Sequence, residues 1–278
     1  MWDENVQMTL RAILALYIAH LLTDFIFQSS HLVQQKKRGH AIGYLKHGAI
    51  HYVCTLLAAA CFLPGEISSL RFQLVIIALT LVHLLIDFCK IHLAKSRPGA
   101  DSAFAFIIDQ LAHFITVVWA ACLIEQTPLL SVARESLHLL RRQPDRVLFL
   151  LVVYVTVIFA CGYLIRFATK PLMRQVGLDA PHRRFSEALP RETRAQLSNA
   201  GMYIGWLERF LVLTALLLHS PATVGLIVAA KSVARFPQFH REQFAEYFLI
   251  GTLLSISVAF IGGVVLMKVF FGVEILPQ

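Results

Sequence analysis

The sequence is short of charge. Of its 278 residues only 15% are Asp, Glu, Lys or Arg, while 57% are hydrophobic; soluble domains carry about 25% and roughly 45–50%. At a mean hydropathy of +0.66 there is too little polar surface to cover a water-soluble fold. A soluble enzyme is thereby excluded, and so is a disordered chain. The alternating segments of about ten residues that build a transmembrane barrel are also missing. Paired cysteines are absent too. Cys54, Cys61, Cys89, Cys122 and Cys161 are odd in number, irregular in spacing and set in apolar runs. They support neither a disulfide framework nor a CxxC metal clip and read as small buried hydrophobes. No Gly-rich phosphate loop occurs, and Ser29 and Ser30 lack the context of a nucleophile elbow. The start, Met-Trp-Asp-Glu, has no basic n-region or small-residue cleavage site, so the first apolar run is expected to be retained.

What is present is a series of long apolar runs. A helix needs about 20 mostly apolar residues to cross a bilayer, and 7–28, 40–63, 71–94, 102–125, 146–167, 202–219 and 246–270 meet that requirement. An eighth run, 221–236, is short and ends in Lys231 and Arg235. Pro64-Gly65, Pro98-Gly99, Pro128, Pro144, Pro221 and Pro237 fall between the runs, where helix breakers belong. The expected fold is an all-α polytopic transmembrane helical bundle of seven or eight spans. Residues 1–126 form a His/Asp-rich part, and 127–278 a C-terminal transmembrane region. The polar stretch 168–200, with Lys170, Arg174, Arg183, Arg184, Arg191 and Arg194, reads as a basic cytoplasmic loop.

The net charge of +8 follows from Lys and Arg in cytoplasmic loops. No nucleic-acid partner is expected, because no basic soluble domain is available to carry one. Lys36, Lys37, Arg38, Lys46, Lys90, Lys95, Arg97, Arg166 and the long loop collect on one side. Arg11, Arg71, Arg134, Arg141, Arg142 and Arg146 collect on the other. The bias places 29–40, 95–101 and 168–200 in the cytoplasm.

An internal repeat is the most informative feature. His20-Leu-Leu-Thr-Asp24-Phe25 closes the first run, and His83-Leu-Leu-Ile-Asp87-Phe88 sits in the same half of the third. His47 and His51 open the second run as Asp109 and His113 open the fourth. His83 follows His20 by 63 residues, and His113 follows His51 by 62. Each helix thus carries two ionisable residues at i and i+4, on one face and one turn apart. The pairs come late in helices one and three and early in two and four, so all eight residues are expected at one depth, in the cytoplasmic half.

Cost gives this pattern its meaning. A charged carboxylate at a helix centre costs about 2.5–3.5 kcal/mol on the insertion scale, so three aspartates must face the bundle interior and meet partners. Five imidazoles and three carboxylates are a ligand set for zinc, iron or manganese, and four-helix bundles build metal sites from inward residues of successive helices. Two other readings use the same residues: hydrogen-bonded Asp–His pairs that join helices, and a polar track for protons or ions. Elsewhere, Glu208 is expected to pair with Lys231 or Arg235; the other reading is that Glu208, Arg209, Lys231 and Arg235 form a cationic pocket for an anionic headgroup. Gly201-Met-Tyr-Ile-Gly205 and Gly262-Gly263 suggest close helix packing.

The motifs His20-Leu-Leu-x-Asp24-Phe25 with Gln28, His47 and His51, His83-Leu-Leu-Ile-Asp87 with Lys90, and Asp109-Gln110-x-x-His113 resemble an uncharacterised bacterial inner-membrane family known as a domain of unknown function. Gly205-Trp-Leu-Glu208-Arg209, Ala229-Ala-Lys231-Ser232, Arg235-Phe236 and Glu246-Tyr247 are similar to its longer members. The resemblance spans nearly the whole chain and implies no activity. The His/Asp inventory is loosely similar to that of membrane-bound metal-dependent hydrolases.

The expected function is a membrane-embedded, metal-dependent hydrolase acting on a lipid or lipid-linked substrate at the cytoplasmic half of the bilayer. It would hold one or two divalent ions, Zn ahead of Fe or Mn, among His20, Asp24, His47, His51, His83, Asp87, Asp109 and His113. The expected core ligands are His20, Asp24, His83, Asp87 and His113. Asp87 or Asp109 would serve as general base, and Lys90, one turn from Asp87, would stabilise negative charge. The alternatives are a divalent-metal or proton-coupled transporter, for which a helical repeat with central polar residues is also a signature, and a structural or regulatory membrane protein.

Overall fold

The computed structural model describes residues 4–96, 102–132, 145–175, 191–236 and 242–272, with the side chains of 4, 172–175, 191–200 and 242–244 left aside. The elements are helical: α1 (Glu4–Leu22), running into a π turn (Thr23–Phe27), α2 (Ser30–Lys37), α3 (Ala41–Phe62), α4 (Leu70–Ser96) and α5 (Ala103–Glu125). There follow α6 (Arg146–Val155), a second π turn (Thr156–Ala160), α7 (Cys161–Gln175), α8 (Arg191–Leu217), α9 (Pro221–Arg235) and α10 (Glu242–Phe271). Pro98-Gly99, Arg97, Arg134, Arg141, Arg142, Pro144, Pro237 and the middle of the 168–200 stretch lie outside the described residues. The two ends of that stretch are helical, since α7 runs to Gln175 and α8 begins at Arg191.

Six helices among the described residues are long and apolar enough to cross a membrane: Asn5–Phe27, Ala41–Phe62, Leu70–Ser96, Ala103–Glu125, Arg146–Pro171 and Ala245–Phe271. The runs at 202–219 and 221–236 fall in α8 and α9, which are not among the six. At 15 residues, α9 is about 22 Å long, short of a hydrocarbon core of about 30 Å.

The chain forms two compact units, Met1–Val155 with Val269–Gln278, and Thr156–Lys268. In the first, α1 packs on α3 and α5, and α4 packs on the same two helices, closing a four-helix ring. The outward side chains are apolar: Leu45, Leu57, Leu81, Leu85, Ile115 and Trp119 are each more than half exposed. The His/Asp pairs are inside, while Arg11 and Lys46 stay exposed. An apolar exterior around a polar interior inverts the soluble pattern and is what a lipid solvent selects.

The short helix α2 lies across α3 and α4. Ser29 caps its start, its hydroxyl accepting from the Leu32 amide at 3.3 Å. It ends in a Schellman motif: the His40 amide donates to the Gln35 carbonyl at 3.1 Å and the Gly39 amide to that of Lys36 at 2.9 Å. Gly39 takes φ +80°, a conformation open to glycine because it has no Cβ. The backbone of α2 then rests directly on Gly43 of α3, where a Cβ would lie 2.9 Å from Gln35 Cβ and 3.0 Å from the Lys36 nitrogen.

In the second unit, Arg209 of α8 is buried. Its Nε and Nη2 donate to the Ile158 carbonyl at 3.2 and 2.7 Å, and its Nη1 to Ser255 Oγ at 3.3 Å. Ile158 lies in the second π turn, so the widened ladder is where the guanidinium inserts. Lys231 is the partner of Glu208, at 2.6 Å. Gly263 meets Leu216 closely; among the described residues, nothing lies within 4 Å of a Cβ built at Gly201, and Gly205 meets Arg209 of its own helix.

Because backbone fills the space above Gly43, Gly43→Ala should lift α2 and expose Lys36. Amine-acylating reagents should then modify Lys36, 2% exposed in the native chain, while Lys90 reacts equally in both proteins. Equal protection of Lys36 in the variant would show that α2 is held by other contacts.

Candidate metal centre

Four helices deliver the polar interior. His20 sits at the end of α1 and Asp24 in the π turn that follows it. His47 and His51 lie in the first half of α3, His83 and Asp87 in α4, and Asp109 and His113 in α5. All five histidines are at most 1% exposed, and Asp87 and Asp109 are buried as well. The eight residues predicted from the repeat therefore converge.

Their closest approach is a triangle. Asp24 Oδ1 lies 3.3 Å from His47 Nε2 and 3.4 Å from His83 Nε2, and the two nitrogens are 2.9 Å apart. Ligand atoms about 2.0–2.1 Å from a tetrahedral ion stand about 3.3 Å from one another. Asp24 Oδ1 is buried and has no hydrogen-bond partner. Three donor atoms thus face one point at the spacing of a metal's coordination shell. Among the described residues, Asp24/His47/His83 is one of three groups that could hold an ion; the others are Asp24/Asp87/His113 and His20/His83/His113.

Asp87 and Asp109 are neutralised differently. Lys36, arriving from α2, binds Asp87 Oδ2 at 2.5 Å, and Lys90 binds Asp109 Oδ2 at 2.6 Å. Gln110 Nε2 donates to the same Asp109 oxygen at 3.1 Å, and its carbonyl accepts from His20 Nε2 at 3.4 Å. The other oxygens turn inward: Asp87 Oδ1 is 3.9 Å and Asp109 Oδ1 3.7 Å from His113 Nε2. Asp109 Oδ1 and His113 Nε2 are both buried without partners. No Lys or Arg pairs with Asp24 among the described residues; its ion-pair partners are His20, His47 and His83.

Residues 12–140 match one family model. Its description is "Protein of unknown function (DUF3307)". The DUF3307 match contains all eight interior residues together with Lys36 and Lys90, and ends before α6. No curated protein and no solved structure matches the chain.

Within the DUF3307 stretch the geometry sharpens the expected roles at three residues. His47 joins Asp24 and His83 in the closest triangle, while His20, a member of the His20/His83/His113 group, is also engaged by Gln110, with its Nε2 3.9 Å from Asp24. His51 belongs to none of the three groups. Its Nδ1 donates to Thr80 Oγ1 at 3.1 Å, because that hydroxyl's own hydrogen goes to the Ile76 carbonyl. His51 stacks on His83 with centroids 4.4 Å apart, so it orients a donor ring. Lys90, one turn from Asp87 in the sequence, pairs with Asp109. Lys36 is the residue that sequence reasoning missed. In Lys36-Lys37-Arg38 it reads as a cytoplasmic loop charge, and only the Ser29 cap and Gly39 stop could have marked a helix there.

Removing one partner of a buried ion pair costs roughly 3–5 kcal/mol because the other charge is stranded. Lys36→Met should therefore lower the thermal midpoint of the detergent-solubilised protein sharply, and Lys36→Met/Asp87→Asn should recover most of the loss. Additive losses in that double-mutant cycle would show that the two side chains act independently.

Proposed function

We propose that the four-helix interior binds a divalent transition metal, zinc foremost with iron or manganese as alternatives, and that the protein is a membrane-embedded hydrolase of lipid or lipid-linked substrates. The observation that carries the reading is the buried, unpartnered Asp24 Oδ1 facing His47 Nε2 and His83 Nε2 at coordination spacing. Three protein ligands and an open fourth position are the arrangement of catalytic rather than structural zinc, and the ion would supply a water of lowered pKa.

The chain's own residues provide the rest. Asp109 is the general base of this proposal, since Oδ1 is unpartnered while Lys90 and Gln110 hold Oδ2. The Lys90 side chain is 40% exposed, which lets it meet a phosphate or developing anion while Asp87 stays with Lys36. Gln28, 3.2–3.3 Å from both ring nitrogens of His47, and His51 hold the donor rings in orientation.

We place the protein in the inner membrane of a bacterial cell, with Lys36–Arg38 toward the cytoplasm. In this reading α1–α3 and α4–α5 descend from one duplicated hairpin. α8 adds a seventh span whose charges are satisfied by Lys231, Ser255 and the Ile158 carbonyl.

Elemental analysis after mild-detergent purification should find Zn, Fe or Mn, lost in Asp24→Asn. Asp109→Asn alone should keep the metal and abolish turnover across a panel of lipid esters and lipid phosphates, because the amide cannot take a proton. A folded, metal-free protein that does not rebind metal would overturn the centre. Gradient-driven metal uptake into vesicles without hydrolysis would replace the enzyme with the transporter.

A further inference from the structure

In the second unit, Arg209 carries a charge that its neighbours do not balance. Its bonds to the Ile158 carbonyl and Ser255 Oγ satisfy three of the five N–H groups of a guanidinium, but these dipoles bring no counter-charge. Glu208, the preceding residue, is taken by Lys231 at 2.6 Å, and among the described residues no carboxylate pairs with Arg209. The guanidinium cannot shed its proton. It also lies deep: Ile158 is halfway along Arg146–Pro171 and Ser255 near the middle of Ala245–Phe271, about 15–20 Å from the nearer end of each helix.

The same place holds donors with nothing to bond. Trp206 Nε1, one turn from Arg209 on α8, is buried without a partner. A Cβ built on Gly162 of α7 would collide with Arg209 Nη2 and stand 3.3 Å from Trp206 Nε1, so both nitrogens meet at the notch this glycine leaves. Thr252 is 5% exposed and its hydroxyl is also unpartnered. Thr55, Thr80, Thr169 and Thr214 turn theirs back to the carbonyl four residues earlier. Thr252 does not, and it shares a face of α10 with Ser255, which touches Arg209 Nη1. Buried polar groups left unpaired are costly, and an indole N–H can only donate. A water would satisfy these donors but leave the charge unbalanced.

We propose that Arg209, Trp206 and Thr252 form a binding site for a small monovalent anion of the halide class. A buried cation flanked by spare N–H and O–H donors is the complement of such an ion. Charge selects a single negative charge, because a doubly charged phosphate or sulfate would leave an excess in the membrane interior. Depth excludes a lipid headgroup, which stays outside the hydrocarbon core. Burial excludes a long ligand, since Arg209 and Thr252 are only 4% and 5% exposed. The site shares no residue with the metal centre, so it stands or falls independently of that reading.

Titration of the purified full chain with radiolabelled chloride, from sodium gluconate at constant ionic strength, tests this. The wild type should saturate at one chloride per chain, and its thermal midpoint should rise with chloride. In Trp2→Phe/Trp119→Phe, where Trp206 is the remaining tryptophan, bromide should quench the emission saturably over the same concentration range. Arg209→Met should not respond to chloride. Trp206→Phe/Thr252→Val keeps the guanidinium and its three bonds, and should bind chloride about tenfold more weakly. A wild type that takes up no chloride and melts as in gluconate would overturn the site. Unchanged chloride affinity in a folded Trp206→Phe/Thr252→Val would overturn it too, by putting the anion elsewhere. A midpoint that follows added phosphatidylglycerol but ignores chloride would overturn it in favour of a lipid headgroup.

Discussion

The structure depends on the placement of three carboxylates where water does not reach. An aspartate in the interior of a lipid-facing bundle must meet a cation or a set of donors, and the fold meets that demand by a different route at each. Asp87 takes Lys36, Asp109 takes Lys90, and Asp24 takes only imidazoles. With neutral histidines, three negative charges face two positive ones. The remaining charge calls for a proton on a ring or a bound cation, and it is concentrated at the carboxylate whose oxygen has no hydrogen-bond partner.

Much of the surrounding architecture serves these contacts. The ring of α1, α3, α4 and α5 closes around the polar core, so its outward faces can be largely apolar. Helix α2 is too short and too polar to span anything. It is held by a serine cap, a glycine stop and close backbone contact at Gly43, and its product is one buried ammonium group. A serine and a glycine outside the polar core thus decide whether Asp87 is paired.

The second unit solves the same problem without a carboxylate cluster. Arg209 is satisfied by the Ile158 carbonyl, and that carbonyl lies in a π turn. The other π turn carries Asp24. In both places the helix widens where a polar group has to be accommodated, consistent with the association of π turns with irregular, function-bearing positions.

The sequence by itself determined a good deal. Low charge and apolar runs require lipid as the solvent, and the i, i+4 pairs on four apolar helices require one shared polar interior, because no other arrangement spares the aspartates from hydrocarbon. All eight residues of that interior were therefore legible, as was the Glu208–Lys231 pair. Only the tertiary structure decided which atoms face which. Helical periodicity puts a side chain on a face but does not choose its rotamer or its neighbour's ring nitrogen. That His47 Nε2 comes within 2.9 Å of His83 Nε2, that His51 turns to Thr80, and that Lys90 serves Asp109 follow from how four helices pack. Lys36 was hidden for the same reason: a lysine among lysines looks like a solvated loop until a glycine on another helix lets its backbone come close.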